Sequence, residues 1–252
     1  MDLTFAFYAV AAAAVVVTGI SKSGFAGGLG VMSVPLLLLF VEPAFALAVM
    51  MPILVVMDGL IVWRYRRQWD RETVATLVPG AVAGIAIGAA TFTIMPASLI
   101  AFLVGLLALA FVAQFFLRAQ SAEPPAHRRG VAFGLGALSG FAGYIAHAGG
   151  PPVKGYLLSR RFDKTVFVGT NAVYISAVNG MKAVGYAATG IFSTDSLMAS
   201  LIVSPLLFVG VGLGLLLHKI VDQQLFMRIV YALLAVAGVK LIWDSVSVWV
   251  GA

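Results

Sequence analysis

Long apolar runs alternate with short polar or glycine–proline breaks along the whole chain, and the runs recur twice in the same order. Residues 3–20 are rich in Ala and Val, nearly enough to cross a bilayer core of ~30 Å. Ile20 to Gly30 interrupts them, and a short apolar piece at 31–41 ends at Glu42-Pro43. That piece is too short to span alone and predicts a half-helix or re-entrant segment. Runs at 44–63, 74–92 and 98–117 each predict a spanning helix, with Arg64 to Arg71 closing the first of them. The hydrophilic stretch 118–130 then reads as a linker. Beyond it lie an apolar run at 131–148, the break Gly149-Gly150-Pro151-Pro152, a short piece reaching Arg160-Arg161, and runs at 165–187, 197–217 and 223–244.

The two halves match in detail. Ser23-Gly24-Phe25-Ala26-Gly27 returns as Ser139-Gly140-Phe141-Ala142-Gly143, and Pro35 returns as Pro151, all 116 positions on. Asp58-Gly59 matches Asn179-Gly180 at 121, and Pro79, Gly84 and Gly88 match Pro205, Gly210 and Gly214 at 126. Spacings that widen in steps are what an old duplication with loop insertions leaves. The expected organisation is one repeat over 1–117, a linker over 118–130 and a second repeat over 131–252. Interrupted apolar segments at matching places in two halves are the best sequence pointer to a transporter's binding site.

Composition settles the class. The chain is 62% hydrophobic and 10% charged, against about 25% charged in soluble domains, so the fold class is an all-α integral membrane protein. Asp2 and a long first run are unlike a cleaved leader, so the first segment is expected to be retained. The absence of Cys removes thiolate chemistry. A net charge of +6 fits basic loops beside anionic lipid and not nucleic-acid binding, because no soluble domain carries a basic patch. Basic loops fall after the third segment of the first half but after the second segment of the second half. One topology places all of them inside: ten segments, both termini outside, and two inverted five-segment repeats with interrupted or re-entrant helices after the glycine-rich motifs.

The candidate chemistry is anion binding. Lys182 lies within the run 165–187, three residues after Asn179 and so on the same helical face, with Thr170 and Asn171 toward the other end. An ionisable group in a span marks a substrate or ion path by default. Ammonium, amide and hydroxyl groups are donors suited to an oxyanion, and broken helices add backbone N–H groups. Ser23, Gly24 and Gly28 with Gly149 and Gly150 would form the cradle, and His147 beside the second break could bind substrate or relay a proton. Asp58 could couple a proton or Na⁺, or serve packing. Each has a plainer alternative: Lys182 could snorkel to the interface, His147 could bond a carbonyl, and Asn171 and Asn179 could be interhelical hydrogen bonds. Lys22 and Lys154 flank the breaks, and Arg228 and Lys240 read as interfacial. The three His are dispersed and make no metal site, no cofactor is expected, and no ATPase motif is present. A serine hydrolase built on Ser139 and His147 is a distant alternative, since the matching Ser23 has no histidine partner.

The same residues carry a family resemblance. Gly24 to Gly30 with Pro35, their counterparts Gly140 to Gly143 with Gly149-Gly150-Pro151, and the series Gly169-Thr170, Asn179, Lys182, Tyr186, Gly190 resemble the sulfite exporter TauE/SafE family, the sulfonate-transporting permeases. The resemblance covers essentially the whole chain and implies a bacterial inner-membrane carrier of sulfite, sulfonates or related sulfur anions, commonly outward. A proton-coupled uptake permease on the same scaffold is the alternative, and a homodimer would suit a carrier this small. His147 is not a residue the family pattern contains.

Overall fold

The computed structural model describes residues 4–24, 30–117 and 128–251. The described residues form helices and turns without strand. They run α1 (Phe5–Gly24), a 3-10 turn (Gly30–Met32) leading into α2 (Ser33–Leu37), α3 (Pro43–Tyr65), α4 (Arg71–Ile94), α5 (Ala97–Leu117), α6 (Arg129–Ala146), α7 (Gly150–Ser159), α8 (Lys164–Ala188), α9 (Thr194–Val203), α10 (Leu206–Ile220) and α11 (Gln223–Val250). Helices α1, α3, α4, α5 and α11 are long and apolar enough to cross a membrane. The pair α9 and α10, bent by 42° at Ser204-Pro205, would make a sixth span. Many large apolar side chains face outward from these helices, among them Ile87, Leu117, Phe208, Val236 and Trp243. Such a surface is stable in lipid and not in water. The chain is a multi-pass membrane protein.

With the bent pair counted once, each half runs through the same five elements: long, short, long, long, long. The short second elements are as the sequence suggested. At 10 residues α7 rises about 15 Å, half of a bilayer core, and α2 is shorter still. Residues 118–127 of the expected 118–130 linker and residues 25–29, with Gly28 among them, lie outside the described residues, while Arg129 and Gly130 already belong to α6.

Two compact units divide the chain, and each draws on both halves of the sequence. One comprises Met1–Ile53, Ile94–Ser121 and Ile191–Ala252; the other comprises Leu54–Thr93 and Ala122–Gly190. In the first unit α10 lies along α1 and α11 along α5. A Cβ on Gly19 would sit 2.9 Å from the Gly210 carbonyl carbon, and one on Gly210 would sit 2.7 Å from the Val16 oxygen. Only hydrogen fits there. Ser23 is spent on this contact, its hydroxyl 2.8 Å from the Gly19 oxygen and 3.1 Å from the Val211 oxygen. Gly24 is the last residue of α1. On the other seam Phe115 stacks on Tyr231 at 4.2 Å.

In the second unit α4 meets α6 in the same manner. A Cβ on Gly80 or Gly84 would overlap the carbonyl oxygen of Phe133 or Ala137, and one on Gly136 or Gly140 would overlap that of Leu77 or Ala81. Backbones this close are what small residues four apart permit, and packing of this kind holds helices together where lipid supplies no hydrophobic drive between them. In both units, then, the fourth element of one half lies against the first element of the other. The matched glycines 84 and 210 make that contact in each case.

Candidate functional site

The second unit gathers most of the polar residues that the sequence singles out. Helix α6 ends because His147 adopts the left-handed conformation, with φ 52°. His147 N–H then donates to the Gly143 oxygen at 3.0 Å, and Ala148 N–H reaches back to the Ala142 oxygen at 3.2 Å. The first of these is the single bond of an αL cap, a motif usually closed by glycine; here a histidine occupies the strained position. Gly149 precedes α7, whose first turn holds Pro151 and Pro152. Nothing lies within 4 Å of where a Gly150 Cβ would stand.

The cap presents its polar atoms to α8. Buried residues recur along α8 every fourth position: Thr170, Tyr174, Val178, Lys182 and Tyr186. Lys182 is 1% exposed, so it does not snorkel. Its Nζ donates to the Gly143 oxygen at 2.9 Å and lies 2.8 Å from His147 Nδ1. Tyr186 Oη donates to the Tyr144 oxygen, and its ring stands edge-on to that of Tyr144 at 4.8 Å. One turn before Lys182, Asn179 Nδ2 donates to Asp58 Oδ2 at 2.5 Å, with Asp58 only 4% exposed. Ser139 Oγ donates to the Gly149 oxygen at 2.5 Å, so its proton is directed at the break and not at His147.

Hydrogen-bond complementarity ties the tautomer of His147 to the charge on Lys182. An ammonium has donors only, so a charged Lys182 bonds His147 through the lone pair of Nδ1, which requires a neutral ring with its proton on Nε2. Two cations cannot share this bond. With Lys182 charged, a proton added to His147 at Nδ1 breaks the bond.

Other expected site residues lie elsewhere. Thr170 is 12 residues from Lys182, about 18 Å along the helix. Its Oγ1 accepts the Asp70 N–H at 2.8 Å. A Cβ on the preceding Gly169 would overlap the Gln68 oxygen, so Gly169-Thr170 seats the α3–α4 turn on α8. Asn171 is half-buried two turns from Asn179. Ser23 and Gly24 belong to the first unit, and Gly28 is outside the described residues. Sequence reasoning missed the Gly143 carbonyl and the part played by Tyr186. The four-residue spacing of the α8 stripe was the signal available for the tyrosine. Tyr174 Oη on that stripe is buried without a hydrogen bond among the described residues. No group of three or more His, Cys, Asp or Glu side chains among those residues could hold a metal ion.

A family model described as Sulfite exporter TauE/SafE matches residues 11–241. The chain belongs to the sulfite exporter TauE/SafE family. It is thereby a member of a transporter family, and the match runs through every element from α1 into α11. No curated protein and no solved structure matches it. In this TauE/SafE chain Lys182 is a buried lysine held by the carbonyl and the imidazole of a broken helix.

Proposed function

We propose that the protein carries sulfite, an organosulfonate or a related sulfur anion across the bacterial inner membrane by alternating access, with two inverted repeats as its framework. The observation that carries this reading is Lys182, buried in α8 of a multi-pass membrane protein and held by the carbonyl and the histidine of the α6 break. An arriving sulfonate oxygen offers Nζ a stronger, charge-assisted partner than either. Asn179 and the open N-terminus of α7 at Gly149 and Gly150 supply further donors. An inside-negative potential drives an anion outward with ~2.3 kcal/mol per charge per 100 mV, so an uncoupled exporter needs no other energy source.

The Nζ–Nδ1 bond favours a second reading, proton-coupled uptake. A proton on His147 breaks the bond and leaves two cations facing the anion, so proton and anion would bind together, with Asp58 close by as a counter-charge. Proteoliposomes on a solid-supported membrane separate the two. A fully ionised substrate such as ethanesulfonate, alongside sulfite, should carry net negative charge in the uncoupled case. In the coupled case it should move without net charge and acidify the compartment it enters. Absence of any sulfonate or sulfite flux in the wild type, with malonate or another carboxylate carried instead, would sink the substrate assignment.

A further inference from the structure

The basic end of the second unit contains a cleft of about 360 Å³ lined by Trp63, Arg64, Arg66, Arg67 and Gln68. It stands where α3 ends and α4 has yet to begin, at the polar margin of two candidate spans. The turn that forms it is built rigidly. Gln68 N–H donates to the Tyr65 oxygen at 2.9 Å, and Trp69 Nε1 donates to the Arg66 oxygen at 3.2 Å. Asp70 caps α4 by accepting the Thr73 N–H at 2.8 Å. Arg66 donates to the Trp63 oxygen at 3.0 Å, with its guanidinium 5.3 Å from the Trp63 ring centre.

The charge balance of this cleft is one-sided. The nearby acids, Asp70 and Glu72, lie 3.8 Å and 3.7 Å from Arg160. No carboxylate among the described residues pairs with Arg64, Arg66 or Arg67. Three exposed arginines thus line one cleft with an indole, at the end of a candidate span. Guanidinium forks match phosphate oxygens, and indole rings settle at the interface beside them. We infer that this cleft binds the phosphodiester headgroup of an anionic phospholipid, with Arg64 and Arg67 on the phosphate and Trp63 against the glycerol and upper acyl chain. This site is separate from the Lys182 cluster and does not depend on what the protein transports.

Native mass spectrometry of the detergent-solubilised protein tests it, with phosphatidylglycerol, phosphatidylcholine and glycerol 1-phosphate as probes. Phosphatidylglycerol should bind preferentially, and Arg64→Gln with Arg67→Gln should weaken it by about tenfold while leaving phosphatidylcholine unchanged. The equally basic control pair Arg128→Gln with Arg129→Gln should leave the preference intact. Should the glutamine pair fail to fold, Arg64→Lys with Arg67→Lys keeps the charge and loses the fork, and must still weaken binding severalfold. An equal loss in the control pair, or no preference for phosphatidylglycerol in the wild type, overturns the inference. Binding of glycerol 1-phosphate as tight as that of the lipid also overturns it, by making the cleft a site for soluble anions.

Discussion

Replacing Lys182 with Met and with Ala separates its role in binding from its role in packing. Methionine keeps most of the stem and removes the charge. Both the Gly143 oxygen and His147 Nδ1 lose the lysine's hydrogen bond, while the Gly143 oxygen still accepts the His147 N–H. The lost bond at Nδ1 costs about 1–3 kcal/mol, and removal of a buried ammonium recovers desolvation energy of similar size. Lys182→Met should therefore melt close to the wild type. Alanine also removes about three buried methylene groups at ~0.8 kcal/mol each and leaves a cavity. It should be less stable than the methionine variant by about 2–4 kcal/mol. Both should lose the anion response alike. A hydrogen bond to a charged group contributes about 1.5–3 kcal/mol, or about tenfold to a hundredfold in affinity. The assay is thermal unfolding in detergent against sulfite, ethanesulfonate and isethionate, since a ligand that binds only the folded state raises its apparent stability. If Lys182→Met keeps the wild-type anion-induced shift, Lys182 is not the anion's partner and the functional reading loses its support.

Two further outcomes follow from the second unit and the matched glycines. Gly84→Ala places a methyl group into the Ala137 carbonyl and should cost about 1–3 kcal/mol or more from overpacking. Gly134→Ala, on α6, meets nothing within 4 Å and should gain up to about 1 kcal/mol in helix propensity; a melting series of the two shows whether close backbone contact holds α4 to α6. Asp70, outside the spans, titrates below the ordinary aspartate range because the nearby Thr73 hydroxyl and the Thr73 N–H, which donates to it at 2.8 Å, both favour the ionised form and Arg160 attracts it, against the opposing cost of burial. Its stabilisation of the α3–α4 turn is complete above the unfolded value of about 3.9 and disappears as pH falls through the lower folded value. Hydrogen-exchange protection factors over residues 66–73, taken relative to the intrinsic rate at each pH, should fall on acidification, and Asp70→Asn should be poorly protected at every pH.

The sequence pattern was legible wherever backbone constraint leaves a mark in residue type. Glycine and proline at matching offsets located the break after α6 and the five-element order, because those residues readily permit such breaks and close contacts. Lys182 with Asn179 was legible because a spacing of three places side chains on one face. Thr170 and Asn171 were joined to them because they share a motif. A helix separates residues by 1.5 Å each, however, and the motif's opening serves a turn from another element. The Gly143 carbonyl left no mark at all. A backbone oxygen becomes a ligand for Lys182 only because His147 turns left-handed, and no residue type announces a non-glycine residue in that conformation.

The hydrogen bond between Asp58 and Asn179 has a consequence for how such a chain could arise. These residues hold matching places in the two halves, yet they touch one another. Matching positions that meet must face themselves in any assembly of two identical, separate chains. There, Asp would oppose Asp, two carboxylates buried at contact and forced to share a proton, or Asn would oppose Asn with no charge at all. Fusion into one polypeptide removes that restriction. A joined chain can place a carboxylate on one side and an amide on the other, an asymmetric pair that two copies of one identical chain could not form.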